Sequence, residues 1–326
     1  MKILTVSIAA YNVEKYLNKC VTSLINKYID SIEILIENDG STDNTYDIGK
    51  SLSDKYPSSI KIIDKKNGGY GSTINNSISI ATGKYFKQLD GDDWFDKDNF
   101  ELFINFLSRS DTDFVFTPYY RCVEGKKRLE IDNTSALLDN KAQDIRALNK
   151  CGNFSMHELT IKTELLRYNG IKITEKCFYT DNEYTFLPLL KAHNFCKFSK
   201  PVYCYRLGID GQSVSLSGVS KHYKDSAIVA NVMYKAWNSC DSYTIKNINN
   251  VATRKLIAIT DTVYTYYIVS NDQKEAKSNV VNFDRELKKN YRSIYKRTFR
   301  VKKIALLRIS HFWFYAYVRK KVLNKW

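Results

Sequence analysis

Three acidic residues crowd a four-residue stretch that directly follows an apolar segment. They are Asp90, Asp92 and Asp93, and the apolar segment is 85–89. Neighbouring carboxylates repel one another and lose favourable solvation unless water or a cation compensates. A hard divalent ion such as Mg²⁺ or Mn²⁺ accepts carboxylates, water and phosphate oxygens together. The stretch therefore indicates a metal and phosphate site, and the alternative is a solvated turn that caps the next helix.

A second polar turn spans positions 37–45. Its alternating acids and glycine are typical of a Ca²⁺ loop, but that loop needs a glutamate at its last position and a helix before it. Here a strand-like segment precedes the turn and no such glutamate follows. The structural alternative is a turn that leads into a helix capped by Thr42 or Asp43.

Both acidic turns fall at the ends of predicted strands, because apolar runs alternate with helical periodicities through the first half of the chain. The predicted strands are 3–9, 32–36, 60–63, 85–89 and 114–117, and the predicted helices are 13–26, 74–80 and one that begins after Asp96. This alternation predicts an α/β fold with a mostly parallel sheet flanked by helices. Such sheets bind ligands outside the carboxyl ends of their strands, where the two turns lie.

Four motifs occur in order along this half of the chain. Residues 6–12 read VSIAAYN, 38–43 read NDGSTD, 67–69 and 81–85 read NGG and ATGKY, and 89–93 read LDGDD. Together they resemble the motifs of family-2 glycosyltransferases, and the resemblance extends to about Asp210. One departure is Asn38, which stands where that family usually has an acid.

The resemblance implies a Rossmann-like GT-A fold and an inverting transfer from a nucleotide-sugar donor, expected to be a UDP-sugar. It also implies a divalent cation, Mn²⁺ or Mg²⁺. Asp39 matches the acid that contacts the nucleotide base. Asp90 and Asp92 match the Asp-x-Asp pair that handles ribose and metal-bound diphosphate, and Asp93 is an additional metal ligand. The remaining donor-binding residues expected from these motifs are Ala9, Tyr11, Asn12, Gly69 and Gly91.

One general base is needed in an inverting transfer, because it must deprotonate the attacking hydroxyl while the metal stabilises the leaving diphosphate. Asp181 resembles the acid that begins a helix in this family and faces the acceptor, so it is the predicted catalytic base. The alternative is that Asp181 only caps the predicted helix 182–192. Glu183 is the second choice for the base.

Two further segments contain candidate binding residues. His157 and Glu158 lie in an irregular region, where they either line the acceptor pocket or are structural. Arg206 lies in the segment 205–208, which together with 211–213 is predicted to form a mobile lid. Its guanidinium is suited to bidentate pairing with the donor diphosphate. An ordinary surface loop is the alternative.

The formal net charge of +15 is concentrated at the C-terminal end of the chain. Residues 285–326 contain fourteen Lys or Arg and one acid, a net charge of +13, which leaves +2 for the rest. From about residue 220 the pattern is helical, with helices predicted at 221–237, 251–269 and 272–289. The chain is therefore divided into a catalytic domain, 1–219, and a helical C-terminal region, 220–326.

The basic tail includes the segment 304–318, which is too short and too interrupted to span a bilayer. As one helix, it aligns Arg308, His311, Tyr315 and Arg319 on a single stripe. Basic residues with interfacial aromatics favour an anionic membrane surface. The seven scattered cysteines fit a reducing cytosol. A peripheral location at the inner face of the cytoplasmic membrane is therefore predicted, and the alternatives are nucleic-acid binding and packing of the tail on the protein itself.

The resemblance implies a hexosyl- or N-acetylhexosaminyltransferase of cell-surface polysaccharide or glycolipid synthesis, and the basic tail favours a glycan or lipid-linked glycan as acceptor. A sugar nucleotidyltransferase is a rival, but the turn 9–12 lacks the glycine-rich, Arg-containing phosphate loop usual in those enzymes. A nucleic-acid-binding protein is the other rival. It leaves the acidic strand ends unexplained, since these carboxylates repel phosphate without a metal, and no nucleic-acid partner is expected.

Overall fold

The computed structural model describes residues 2–208, 215–271 and 273–324. The chain divides into two compact units, Met1–Gly208 and Ile209–Trp326. Of the predicted lid, the part 211–213 lies outside the described residues.

The first unit alternates strands with helices up to β6, as the sequence predicts, and continues with several strands in succession. Within the described residues its strands are β1 Lys2–Ala10, β2 Ile32–Asn38, β3 Ile60–Asp64, β4 Gly83–Asp90, β5 Trp94–Phe95, β6 Phe114–Phe116, β7 Tyr119–Val123, β8 Leu129–Ile131, β9 Gln143–Asp144, β10 Leu159–Lys162, β11 Asn194–Lys197 and β12 Tyr203–Leu207. Its α-helices are α1 Glu14–Thr22, α2 Thr45–Lys55, α3 Tyr70–Ile80, α4 Lys97–Arg109, α5 Thr163–Tyr168 and α6 Asp181–Phe186.

Most strands form one large sheet, in the order β3-β2-β1-β4-β10-β6-β11-β9. The first four strands of this order are parallel, whereas β10 is antiparallel to both of its neighbours and β9 to β11. A smaller sheet has the order β5-β12-β7-β8. The predicted α/β class, a mostly parallel sheet flanked by helices, is confirmed. Within the described residues, the antiparallel pairings of this sheet involve β10 and β9.

The centre of the large sheet is buried on both faces. Every residue of β2 is buried, and so are residues 4–8 of β1. Most residues of these strands are apolar because helices cover both sides of a parallel sheet. The buried Glu33 and Glu37 of β2 accept hydrogen bonds from the hydroxyls of Thr5 and Ser77. The chain passes from β1 to β2 and β3 on one side and returns to β4 on the other. This reversal of direction creates a crevice beside the carboxyl end of β1.

Local signals placed most helices correctly and missed some ends. Asp96 caps α4, as predicted, by accepting a hydrogen bond from the backbone N–H of Asn99. Helix α1 ends at Thr22 rather than at residue 26. The predicted helix 182–192 is also shorter, because Pro188 has no N–H to donate to the preceding turn and starts a separate 3₁₀ turn, Pro188–Leu190.

The second unit is helical throughout its described residues. Its helices are α7 Leu216–His222, α8 Asp225–Asn238, α9 Ser242–Val269, α10 Gln273–Asn290, α11 Arg292–Arg297, α12 Lys302–Ile309 and α13 Tyr315–Leu323. The predicted helical C-terminal region is thus confirmed, although its first predicted helix is two helices. Among the described residues, none of these helices has the length and apolar character needed to cross a membrane.

The predicted single helix over 304–318 is wrong. Helix α12 ends at Ile309. Two residues that follow it, His311 and Phe312, have positive φ angles of 48° and 64°. The N–H of Phe312 donates to the carbonyl of Leu307 at 2.7 Å, and the N–H of His311 donates to that of Arg308 at 3.1 Å. These two bonds form a Schellman motif, which satisfies the last carbonyls of the helix and turns the chain.

The predicted basic stripe of this helix is also wrong, because three of its four members contact the helical unit while His311 is exposed. The Arg308 guanidinium is buried, with Nε 2.6 Å from Asp284 Oδ1 and its carbon 3.7 Å from the ring centre of Tyr295. Arg319 donates to the backbone carbonyl of Ile268, and Tyr315 is buried. The described part of the tail therefore packs on the helical unit through residues that were predicted to face a membrane.

Replacing Arg308 with Met should strongly destabilise the helical unit. The change leaves the buried Asp284 carboxylate without its cation, and removing one member of a buried pair costs about 3–5 kcal/mol. Urea unfolding followed by circular dichroism measures the loss. Lys302→Met, an exposed position on the same helix, is the control and should change the free energy of unfolding by less than about 0.5 kcal/mol. Equal effects of the two substitutions would contradict the assignment.

Candidate active site

The two acidic turns meet at one edge of the large sheet. Strand β1 lies between β2 and β4, and its Ala9 is level with Glu37 on one side and Asp90 on the other. Because the three strands are parallel, the turns that follow them emerge side by side. The prediction that both turns share the carboxyl edge of the sheet is confirmed.

Backbone contacts lock the turn after β1 to the other two turns. The Gly91 N–H donates to the Ala9 carbonyl at 3.0 Å, and the Asn12 N–H donates to Ser41 Oγ at 3.0 Å. A β-carbon on Gly91 would lie 2.9 Å from the Ala9 oxygen, so no side chain fits there. Tyr11 is half-exposed beside these contacts. Ala9, Tyr11, Asn12 and Gly91, all expected at the donor, thus lie together.

The Asp39 carboxylate organises the loop that precedes α3. Its Oδ1 accepts from the Gly68 N–H at 2.9 Å and its Oδ2 from the Gly69 N–H at 2.8 Å, and it forms an ion pair with Lys65. Gly69 has a φ of +79°, and a β-carbon there would lie 3.1 Å from the backbone of Lys176. Asp39 therefore holds the glycine loop in place; contact of the same carboxylate with a nucleotide base stays a prediction.

Burial and mutual repulsion raise the proton affinity of the acidic turn after β4. Burial first, and then the charge of Asp92, raise the pKa of Asp90 from 3.8 to about 7. Burial also raises the pKa of Asp92, and that of Asp93 lies well above its usual range through burial and its two acidic neighbours. These carboxylates favour a bound cation, since positive charge relieves the repulsion that raises their pKa values.

Two tyrosines donate hydrogen bonds to this acidic turn from distant elements. The Tyr70 hydroxyl, at the start of α3, donates to Asp90 Oδ1 at 2.7 Å. The Tyr203 hydroxyl, on β12, donates to Asp93 Oδ2 at 2.6 Å. Sequence reasoning missed both residues. The only signal near Tyr70 is the glycine pair before it, and nothing near Tyr203 indicates its partner.

Arg206 belongs to strand β12, so the prediction of a lid over 205–208 is wrong for residues 205–207. The antiparallel pairing of β12 with β5 places it beside the acidic turn. Its backbone N–H donates to Asp93 Oδ1 at 2.6 Å, and its Nε donates to the carbonyl of Asp92 at 2.8 Å. The guanidinium also lies 4.9 Å from the ring centre of Trp94. A fixed cation therefore stands next to the carboxylates.

His157 joins the acidic turn from a 3₁₀ turn, Met156–Glu158. Ligand atoms of Asp90, Asp93 and His157 all lie within 4.8 Å of one another. Burial first, and then the charge of Lys87, lower the pKa of His157 to about 3. The imidazole is therefore neutral at physiological pH and keeps a lone pair for a metal ion. The sequence predicts for His157 either a place in the acceptor pocket or a structural role, and it gives no sign of this position beside the carboxylates.

Aromatic rings and a buried lysine hold the His157 segment in place. The imidazole stacks on Tyr205, with ring centres 4.4 Å apart. Lys87 is fully buried in β4, and its Nζ donates to the carbonyls of His157 at 3.0 Å and Leu159 at 3.2 Å. Burial lowers the pKa of Lys87 to about 7. Nothing in the sequence near Lys87 indicates this position.

Glu158 has a structural role. Its side chain is fully buried, and it accepts hydrogen bonds from the backbone N–H groups of Asn133 and Ser155, each at 2.9 Å. Contact with an acceptor would require these bonds to break. The sequence did not separate this role from acceptor binding, because the partner Asn133 lies far away in the chain.

Asp181 begins α6, as predicted, and lies near the acidic turn. Its charge contributes to the raised pKa values of Asp90, Tyr70 and Tyr205. Thr180, not Asp181, is the N-cap residue of α6. Glu183, the second choice for the base, is buried and accepts hydrogen bonds from the N–H and hydroxyl of Thr174. Glu183 therefore holds the loop at Thr174 in place.

The sheet reverses direction at β1 and has an acidic turn at that edge, and its fold is that of GT-A glycosyltransferases. The sequence pattern described as "Glycosyl transferase family 2" matches residues 5–168, half of the chain. The chain therefore belongs to glycosyl transferase family 2, and it is a glycosyltransferase. The family and the enzyme class that the four motifs imply are thus both confirmed.

Similar proteins agree with this class. A chondroitin synthase of Pasteurella multocida (strain Pm70) is 27% identical over 240 residues, which cover 70% of this chain and 23% of that protein. Residues 1–349 of S. aureus TarS in complex with UDP-GlcNAc superpose with a TM-score of 0.69 at 16% identity, covering 100% of this chain and 92% of that one. The mannosyltransferase PcManGT of Pyrobaculum calidifontis, in complex with GDP-Man and Mn²⁺, gives 0.52 at 14% identity, covering 94% and 86%.

Replacing Asp90 with Asn should remove part of the pH dependence of stability in the metal-free protein. Because folding raises the pKa of Asp90 from 3.8 to about 7, its stabilising contribution is complete below the lower value and is lost as the pH rises through the upper one. Relative to wild type, Asp90→Asn should therefore gain stability as the pH rises from about 4 to about 7. Urea unfolding in the presence of a chelator measures this.

His157 has the opposite effect, since its lowered pKa adds stability as the pH rises. It is present in both proteins, so its contribution cancels in the difference between them. Asp98→Asn, an exposed acid on α4, is the matched control and should follow wild type. Parallel pH dependences of wild type and Asp90→Asn would refute the raised pKa.

Proposed function

We propose that this glycosyltransferase is inverting and moves a hexosyl or N-acetylhexosaminyl group from a UDP-sugar to a hydroxyl group of a glycan or lipid-linked glycan. The observation that carries the proposal is the crowding of Asp90, Asp92 and Asp93 at the crevice beside β1, with Asp181 near them. A crevice at such a reversal is where nucleotides bind in open α/β sheets. The TarS fragment is named as a complex with UDP-GlcNAc, which supports a UDP-sugar donor.

The donor is proposed to lie along the edge formed by the turns after β1, β2 and β4. Its nucleotide faces Ala9, Tyr11 and Asn12, and the nucleotide base lies next to Asp39 and the Gly69 loop. The ribose and diphosphate lie towards Asp90 and Gly91. Arg206 pairs with the diphosphate, because its side chain is held beside the carboxylates by the Asp92 carbonyl and the Trp94 ring.

The residues of the acidic turn suit a divalent cation. Carboxylate oxygens with a neutral imidazole are a donor set for Mn²⁺, and carboxylates alone suit Mg²⁺. We assign the ion to Asp90, Asp93 and His157, whose ligand atoms lie within 4.8 Å of one another, with Asp92 on the same turn. A bound cation supplies positive charge to the leaving diphosphate. PcManGT, named as a complex with GDP-Man and Mn²⁺, supports this choice of ion.

Asp181 is proposed as the general base. It lies at the first turn of α6, where the helix dipole favours the ionised carboxylate that a base requires. The buried carboxylates beside it have raised pKa values and are suited to a cation, which leaves Asp181 to take the proton of the attacking hydroxyl. His157 is held by ring stacking against Tyr205 and is proposed to face the acceptor side of the metal.

We propose that the chain acts in cell-surface polysaccharide or glycolipid synthesis, at the inner face of the cytoplasmic membrane. The similarity to a chondroitin synthase supports a polysaccharide product, although the chain spans only 23% of that protein. The chemistry is assigned to the domain 1–219, and the region 220–326 is assigned to membrane-surface binding without nucleic acid. The charge of +13 in residues 285–326 supports an anionic surface as the partner.

Replacing Asp92 with Ala should abolish turnover and leave the fold intact, because the turn loses a carboxylate that serves the metal–diphosphate complex. Release of nucleotide from a panel of nucleotide sugars, with Mn²⁺ and with excess chelator, measures this and identifies the donor. Asp98→Ala, an exposed acid nearby in sequence, should remain active. Turnover that survives either Asp92→Ala or the chelator would rule out the metal-dependent mechanism.

Replacing Asp181 with Asn should lower kcat by about 10²–10⁴-fold, because a general base acts on the chemical step. Donor affinity, measured by calorimetry, should stay close to that of the wild type. Glu175→Gln, at an exposed acid in the preceding loop, is the control and should keep the kcat of the wild type. A strong loss of donor binding with kcat preserved would remove Asp181 from the role of base.

A further inference from the structure

We infer that the protein docks on anionic lipid headgroups through one surface of its tail, which we call the aromatic turn. It consists of Ile309, Trp313, Phe314 and Tyr317, with Lys320 and Lys321 beside them. The inference rests on the membrane part of the proposed function and is independent of the transfer chemistry. It replaces the predicted stripe, two of whose members, Arg308 and Tyr315, are buried in the helical unit.

Four large apolar side chains are exposed within nine residues. Trp313 is 87% exposed and Ile309 73%, while Phe314 and Tyr317 are 54% and 55% exposed. Folding normally buries such side chains, and a concentration of them on a surface marks an interaction site. Trp and Tyr rings are suited to the boundary between headgroups and acyl chains, and Ile and Phe to the apolar side of that boundary.

The packing behind the aromatic turn shows that it is not a loose end. Val318 and Tyr315 are buried on the inner side of α13, and Arg319 donates to the backbone of Ile268. On the other side, Arg308 anchors α12 to Asp284. The exposed side chains therefore project from a segment that is fixed at both ends.

The backbone between the two helices is also in a costly conformation. His311 and Phe312 both have positive φ, a region that residues other than glycine rarely adopt. Such conformations are unfavourable for residues other than glycine and persist where the surrounding structure imposes them. Here the two bonds of the Schellman motif impose the turn, which presents Trp313 and Phe314 outward instead of continuing the helix.

Positive charge accompanies the aromatic turn. Tyr317, Lys320 and Lys321 share the outward face of α13, because residues three and four apart lie on one side of a helix. Lys321 Nζ lies 5.8 Å from the ring centre of Tyr317. An apolar set with cations at its side complements an anionic lipid surface, which offers negative headgroups above an apolar layer. Nucleic acid would complement the cations and the rings but would leave Ile309 without an apolar partner.

Co-sedimentation of the full chain with vesicles of phosphatidylcholine containing phosphatidylglycerol tests the apolar part. The double substitution Trp313→Ala and Phe314→Ala should weaken binding about tenfold or more, because it removes apolar surface that the bilayer would otherwise shield from water. Tyr243→Ala is the matched control, since Tyr243 is 68% exposed on α9 of the same unit. It should bind like the wild type. Equal binding by the double variant and the wild type would overturn the inference.

The contribution of charge is tested by comparing two lysine pairs of the tail. Lys320→Gln with Lys321→Gln should weaken binding about tenfold at low salt, and the difference should shrink as the salt concentration rises. Lys288→Gln with Lys289→Gln removes the same charge from the exposed end of α10 and should have a smaller effect. Equal losses would show that diffuse charge, not the aromatic turn, binds the vesicles, and would overturn the inference.

Two further measurements separate this inference from the transferase proposal. Binding of the wild type to duplex DNA and not to vesicles would overturn the inference in favour of a nucleic-acid partner. Binding of the wild type to neither would overturn it in favour of a protein partner. Release of nucleotide from the donor, measured on the same variants without vesicles, should match wild type. Loss of vesicle binding with this release unchanged therefore concerns the aromatic turn alone.

Discussion

Repulsion among the carboxylates of Asp90, Asp92 and Asp93 is the constraint on which the site depends. Three acids at the buried end of one strand are unfavourable together, and the raised pKa values express this cost. The fold compensates with hydroxyl donors from Tyr70 and Tyr203. Because these donors come from α3 and β12, the acidic turn also ties distant parts of the first unit together.

The same arrangement prepares the site for its proposed ligands. Hydroxyl groups satisfy part of the hydrogen-bonding capacity of Asp90 and Asp93 without neutralising their charge, so a cation still has a strong reason to bind. The neutral imidazole of His157 adds a nitrogen donor close to these oxygens. Asp39 restrains the glycine loop through two backbone N–H groups in a comparable way. Rigid supports of this kind lower the entropy lost when donor and metal bind.

In the helical unit, one buried ion pair determines which side chains of the tail point inward and which are exposed. Arg308 pairs with Asp284 and packs against the ring of Tyr295, so its guanidinium does not reach the surface of α12. The Schellman motif that follows ends the helix and directs Trp313 outward. A pattern that reads as a basic helical stripe is thereby converted into an inward anchor and an outward aromatic surface.

The sequence by itself determined strands β1–β4 and β6 and most of the helices between them, the order of the four motifs and the family, because these depend on local periodicity and on short spacings. It also determined that the acidic turns share one sheet edge, since parallel strands align their carboxyl ends. It did not predict β5, the strands β7–β12 or helix α5. Only the tertiary structure decided that Tyr70, Tyr203 and Lys87 support the site and that His157 joins the carboxylates. Their partners lie between 20 and 113 residues away in the chain, and such contacts leave no periodic trace. Packing likewise decided where the Arg308 side chain points. In the sequence, a basic residue that faces solvent looks the same as one that pairs with a buried carboxylate.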